Sequence, residues 1–246
     1  MRSDRSQVEV AVVGIGCRFP DADDAHSFWT NIRAGRASFR DVPADRWDHR
    51  AFYSTSQRDI DKTWTAKGGF IEDVRSFPAL HFGIPPRRLE AMDPQHRLLV
   101  EATRVAVQDG GYELRAFDRA RTGVFTGVSV SEYKNLMISR ISAMMMASGS
   151  FGPAAGSPEL RTAIMELSRN LVPTRAFSIP GVLTNMAAAS ISQTFNFGGP
   201  SYALDAACAA GAAAIYDGVL HLRAGLIDVA LAGGALLNLM PCVFPV

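Results

Sequence analysis

The run Ser201-Tyr202-Ala203-Leu204-Asp205-Ala206-Ala207-Cys208-Ala209-Ala210-Gly211-Ala212-Ala213-Ala214-Ile215 constrains this chain more than any other stretch. It reads as a short apolar strand, a cysteine at the bend, and a helix made almost wholly of tiny residues. Such a helix can be buried directly against neighbouring backbone. A thiol placed where a strand turns into a helix meets the unpaired N–H groups of the first helical turn. Those donors and the aligned peptide dipoles favour thiolate over thiol. Cys208 is therefore the candidate nucleophile. The competing reading is a cysteine that acts only as a small apolar residue.

Elsewhere, strands and helices are expected to alternate. Val8 to Val13 is a β-branched run closed by Gly14-Ile15-Gly16, and is expected to be a buried strand. Asp24 is an expected N-cap for a helix carrying Phe28, Trp29 and Ile32, with Gly35 past its end. Residues 36 to 90 are irregular. Their aromatics (Trp47, Trp64, Phe70, Phe77, Phe82) argue for an ordered excursion, not a linker. Asp93-Pro94 caps a further helix through Leu98, Leu99, Ala102, Val105 and Ala106, which stops at Gly110-Gly111. Gly123 to Val128 is a second strand. Helical stretches fill 129 to 180 around a bend at Gly149 to Pro158. A small-residue helix over Asn185 to Phe195 is turned by Gly198-Gly199-Pro200 into the strand before Cys208, and Asp228 to Ala232 makes one more strand. The economical architecture is an α/β layered domain over residues 8–246, behind a polar tail at 1–7.

Several function classes drop out on composition. A formal charge of +1 in 246 residues gives no footprint for nucleic acid or an anionic membrane. Cys17, Cys208 and Cys242 are too few and too scattered for a disulfide framework or a metal site, which fits a reducing cytoplasm. The apolar stretch from Val229 to Val246 nearly reaches the length of a membrane span, but Gly233-Gly234, Pro241 and Pro245 break it. Gly14 and Gly16 after a strand invite a nucleotide-binding oxidoreductase reading. The fingerprint needs a third glycine or alanine where Phe19 stands. His26, His49, His81, His96 and His221 form no metal spacing and read as surface or packing residues. Met144-Met145-Met146 fits an adaptable apolar pocket or ordinary packing. The acidic residues show no paired-carboxylate pattern. No bound cofactor or metal is expected.

Taken in order, several segments resemble one family. Val10-Ala11-Val12-Val13-Gly14-Ile15-Gly16-Cys17-Arg18-Phe19-Pro20 resembles the opening of the β-ketoacyl synthase (ketosynthase) domain of modular polyketide synthases. Val42-Pro43-Ala44-Asp45-Arg46-Trp47, Lys62-Thr63 through Gly68-Gly69-Phe70, and Met92-Asp93-Pro94-Gln95-His96-Arg97-Leu98-Leu99 are similar to its next landmarks. Gly123-Val124-Phe125-Thr126-Gly127, Asp205-Ala206-Ala207-Cys208-Ala209 and Ala230-Leu231-Ala232-Gly233-Gly234 resemble its second strand, its active-site loop and the strand that follows.

The resemblance implies the N-terminal half of a thiolase-like α/β fold, a predominantly parallel five-stranded sheet with helices on both faces. It implies an acyltransferase of polyketide or fatty-acid assembly that performs a decarboxylative Claisen condensation. Substrates would arrive on the phosphopantetheine of an acyl carrier protein. Cys208 would be the nucleophile, and its own N–H an oxyanion donor. Homodimerisation, or pairing with a C-terminal ketosynthase half, would follow. The chain departs from the family at Ala209-Ala210-Gly211, where serines are common, and at Ser190, where arginine is common. The family's catalytic histidines belong to a C-terminal half, which the sequence is expected to lack, so the chain reads as incomplete alone. The alternatives are a non-catalytic dimerisation or scaffold half-domain or gene remnant, and the oxidoreductase.

Overall fold

A computed structural model describes residues 9–46, 48–150 and 156–234. The segment before the first helix differs from expectation. Residues 9–16 form no strand, and Val12 is 81% exposed. β-Branched residues favour strands only where a partner strand supplies the ladder. Here the segment lies instead along a later helix, α3 (Pro94–Asp109). A Cβ on Gly14 would sit 2.1 Å from the Ala106 carbonyl oxygen, and one on Gly16 would sit 2.0 Å from that of Ala102. The Ile15 N–H donates to Asp109 Oδ2 at 2.8 Å. The two glycines thus serve helix packing on the flank of α3. A pyrophosphate would instead need a helix N-terminus in front of them. The oxidoreductase alternative loses its only support.

Capping signals proved accurate because they are local. Helix α1 (Ala25–Arg33) starts at Asp24, whose carboxylate accepts from the Ser27 N–H at 2.7 Å, and Gly35 follows its end at φ +61°. The long excursion holds two two-residue strands, β1 (Arg40–Asp41) and β2 (Lys67–Gly68), paired antiparallel. It also holds a 3-10 turn at His49–Ala51. Trp47 lies outside the described residues. Pro86 opens the short helix α2 (Pro86–Ala91). Helix α3 begins at Asp93, buried and fully partnered: Oδ1 accepts from the Gln95 N–H at 2.8 Å and Oδ2 from Ser131 Oγ at 2.5 Å. Ser131 is itself the N-cap of α4 (Glu132–Ser148), so one carboxylate ties two helix starts together. The buried face of α3 is Gln95, His96, Val100 and Thr103, whereas the expected Leu98, Leu99, Ala102, Val105 and Ala106 are only half-buried.

The central sheet is parallel. Strand β3 (Thr122–Gly127) lies between β4 (Ser201–Leu204) and β5 (Val229–Gly234), with Gly127 paired to Leu204 on one side and to Gly234 on the other. Among the described residues this sheet has three strands, not five. The run at 9–13 is not paired, and residues 235–246, including Asn238, Pro241, Cys242 and Pro245, lie outside the described part. Helices cover both faces, as expected. Alternation along β3 sends Val124 to one side, where it packs with Met92, Val100, Ala188 and Ile191 of the α3 layer and α7 (Met186–Phe195). It sends Phe125 to the other side, against Ala214 and Ile227, where α8 (Ala210–Arg223) crosses from β4 over β3 to β5. Between β3 and α7 come α4, α5 (Pro158–Ser168) and α6 (Ser178–Val182), with α4 packed on α5. Arg121 clamps the strand starts by donating from Nε and Nη2 to the two oxygens of Asp228, at 2.8 and 2.9 Å. No described helix is long and apolar enough to cross a membrane.

His96 carries a pH prediction. It is 1% exposed, and its Nδ1 has no hydrogen-bond partner among the described residues. Burial pushes its pKa below the ordinary 6.5, partly offset by the Asp93 carboxylate. The folded chain therefore takes up this proton at lower pH than the unfolded chain. Between the two values the unfolded state binds more protons, so this contribution to stability is whole above about 6.5 and is lost as the pH falls below it. Glu101 works in the opposite sense, because burial raises its pKa. Thermal melts from pH 7.5 to 5 should fall in Tm, and His96→Gln should flatten that slope. An unchanged slope in the variant would remove His96 from the account.

Candidate active site

The carboxyl ends of β3, β4 and β5 lie on one edge of the sheet, as parallel pairing requires, and Cys208 sits four residues beyond Leu204 on that edge. The bend is a 3-10 turn, Ala207–Ala209, running directly into α8. Cys208 is exposed and in the free thiol state, whereas Cys17 is half-buried, with its thiol pKa raised by desolvation and then by the Asp24 charge.

The tiny residues do what their size permits. A Cβ on Gly127 would sit 2.3 Å from the Ala210 carbonyl carbon and 2.6 Å from the Gly211 nitrogen. A Cβ on Gly234 would sit 2.9 Å from the Gly211 Cα. The first turn of α8 therefore rests on the ends of β3 and β5 with no side chain between them. Farther along, Ala214 and Gly218 are buried, and Gly218 faces Ala230, Ala232 and Phe125. α8 has no side-chain N-cap.

The amide donors are fewer than a free helix end would offer. The Ala209 N–H donates to the Ala206 carbonyl and the Ala210 N–H to the Ala207 carbonyl, so both are spent inside the turn. The Cys208 N–H has no partner among the described residues.

Two features were not read from the sequence. Ala207 has φ +48°, a left-handed backbone in a residue that carries a Cβ. Asp205 Oδ1 accepts from the Ala207 N–H at 2.9 Å and from Ser129 Oγ at 2.5 Å. These bonds hold the Asp205 carboxyl below the usual carboxylate range, the Ser129 bond contributing most. Asp205 two residues before Ala207 was the available signal for the first bond, since short acidic side chains accept from the backbone two residues on. Ser129 gave none, because it lies 76 positions away.

The five histidines are not gathered at the thiol. His221 sits in the last turn of α8, with Nδ1 against the Asp217 carbonyl and its ring on Phe125. His96 is in the α3 core, His26 is in α1, and His49 and His81 lie in the excursion. Met144 to Met146 form the end of α4, with Met144 and Met146 exposed. Ser190 lines a cavity of about 210 Å³ between α2, α6 and α7, with Arg88, Met92, Phe177, Met186 and Gln193. Cys208 lies outside that cavity, on an open corner. No group of three or more His, Cys, Asp or Glu among the described residues is placed to hold a metal.

The described residues thus form a parallel α/β layer with a free, exposed cysteine at a strand–helix corner. The chain belongs to the family described as beta-ketoacyl synthase, N-terminal domain, which it matches over residues 7–245. It is 34% identical over 232 residues to the polyketide synthase ThaG of Burkholderia thailandensis, covering 94% of this chain and 4% of that protein. It is 31% identical over 244 residues to the polyketide synthase PksN of Bacillus subtilis, covering 99% of this chain and 4% of that one. Among solved structures, the ketosynthase from module 6 of the bacillaene synthase of Bacillus subtilis superposes with a TM-score of 0.69 at 27% identity, over 94% of this chain and 32% of that chain. An oxazolomycin ketosynthase domain of Streptomyces albus gives 0.68 at 29% identity, over 91% and 33%. The chain thus spans a small part of the curated relatives and about a third of the ketosynthase structures. The thiolase-like α/β fold and the ketosynthase N-terminal assignment are both borne out.

Proposed function

We propose that this chain is the acyl-accepting half of a polyketide β-ketoacyl synthase, with Cys208 as its nucleophile. The single observation that carries the proposal is the exposed thiol on a turn between β4 and α8, in a residue whose N–H has no partner among the described residues. The Cys208 thiolate attacks the carbonyl carbon of an acyl thioester held on the phosphopantetheine of an acyl carrier protein. The oxygen gains negative charge and accepts from the Cys208 N–H. Collapse breaks the carbon–sulfur bond to pantetheine, whose thiolate leaves and takes up the proton released when Cys208 ionised. The acyl group remains on Cys208 Sγ. Decarboxylation of an extender and carbon–carbon bond formation need acid–base groups that the described corner does not supply. They are assigned to a C-terminal ketosynthase half.

A partner surface is in keeping with the large apolar side chains left exposed, among them Val12, Ile15, Trp29 and Ile32 on the N-terminal side and Ile215 and Tyr216 on α8. The proposed partners are that half, a second copy of the chain, and the carrier protein, in a cytoplasmic setting. The test is incubation with a short acyl thioester, followed by mass spectrometry of the cysteine peptides. Acyl transfer should appear on Cys208 ahead of Cys17 and Cys242, and fall to background in Cys208→Ala. Equal, sluggish labelling of all three would favour a non-catalytic scaffold. A β-ketoacyl product from these 246 residues with malonyl carrier protein would refute the assignment of condensation to another half.

A further inference from the structure

We infer that Asp205 and Ser129 are positioning residues for the Cys208 turn, acting as hydrogen-bond partners of the loop and not through charge; this rests on the proposed role of Cys208. Ala207, the residue before the thiol, holds φ +48°. That region is sterically unfavourable for an L residue, so the surrounding structure must hold it there. The visible restraint is the Asp205 carboxylate, which accepts from the Ala207 N–H. Asp205 is exposed, and a lone side chain at the surface would swing freely. It is fixed from a second direction by Ser129 Oγ, two residues beyond the end of β3. The tie therefore runs between the loops that follow two adjacent strands, and it holds the backbone of the turn that carries Cys208.

Chemistry separates the acceptor from the charge. A carboxylate near a thiol disfavours the thiolate, so charge alone would make Asp205 an obstacle. Its acceptor oxygen is the useful part, and asparagine retains one. The test measures iodoacetamide alkylation of Cys208 against pH by mass spectrometry, with amide hydrogen exchange at Ala207 read on the same samples. Asp205→Ala should slow alkylation near pH 7 by about tenfold and speed amide exchange at Ala207. Asp205→Asn should rescue both the rate and the slow Ala207 exchange. Ser129→Ala should lose part of the rate, and Ser129→Thr should restore it.

If Asp205→Ala matches the parent profile, or Asp205→Asn falls as far as Asp205→Ala, the inference is wrong. If the parent Cys208 alkylates no faster than Cys17, the nucleophile reading fails. Ala207 exchange then decides the brace by itself: faster in Asp205→Ala than in Asp205→Asn upholds it, and equal rates overturn it.

Discussion

Gly127→Ala should be strongly destabilising and should disturb the cysteine turn as well. Its new carbon would lie 2.3 Å from a main-chain carbonyl carbon and 2.5 Å from that carbonyl's oxygen, both of Ala210. No rotamer can relieve a clash between two pieces of backbone, so either the end of β3 or the first turn of α8 must move. Overpacking commonly costs about 1–3 kcal/mol, and this site belongs at or above the upper end. Because Ala210 follows the cysteine turn directly, the displacement should also slow Cys208 alkylation. Gly233→Ala is the control: its Cβ would meet nothing within 4 Å, and the variant should melt within a few degrees of the parent. Denaturant unfolding of the pair, with Cys208 labelling on the same samples, checks both parts. Equal stability of the two variants would show that the helix is not seated on the strand as described.

Phe125→Ala should cost about 3–5 kcal/mol, the range for deleting a fully buried aromatic side chain. The ring is 0% exposed, and it stands edge-on to Tyr202 with centroids 5.2 Å apart and tilted to His221 at 4.9 Å. It fills the layer between the sheet and α8 together with Ala214 and Ile227, and these small or branched neighbours cannot swing in to close the void. A domain of ordinary stability has about 5–15 kcal/mol in total, so this one truncation should remove a large part of it. Urea titration measures the loss. A cost below about 1 kcal/mol would mean that the α8 face of the sheet is not a packed layer.

What could be read from the sequence follows from how far each feature reaches along the chain. Asp24, Asp93 and the stop at Gly110 were legible because a cap is satisfied by residues two to four positions away. The strands β3, β4 and β5 were legible because each is a short apolar run closed by turn residues. The run at Val8 to Val13 has the same local character but forms no strand, because pairing depends on a partner that the run itself does not contain. At the corner, the glycine and alanine pattern announced close backbone contact, and Gly127 against Ala210 fulfils it. The left-handed Ala207 was hidden, since alanine has no preference for that conformation. Ser129 and Asp205 meet only because β3 and β4 are neighbours in the sheet, a fact no local pattern encodes.

The shared direction of the three strands has a consequence for variation. Residues at 128–131 and 205–209 form a rim above the ladder, and most side chains there can be exchanged without breaking a strand-to-strand hydrogen bond. Mutation can therefore retune the neighbourhood of the sulfur one rim segment at a time. The limit is set by the glycines beneath it, which leave the helix no room to rise or slide.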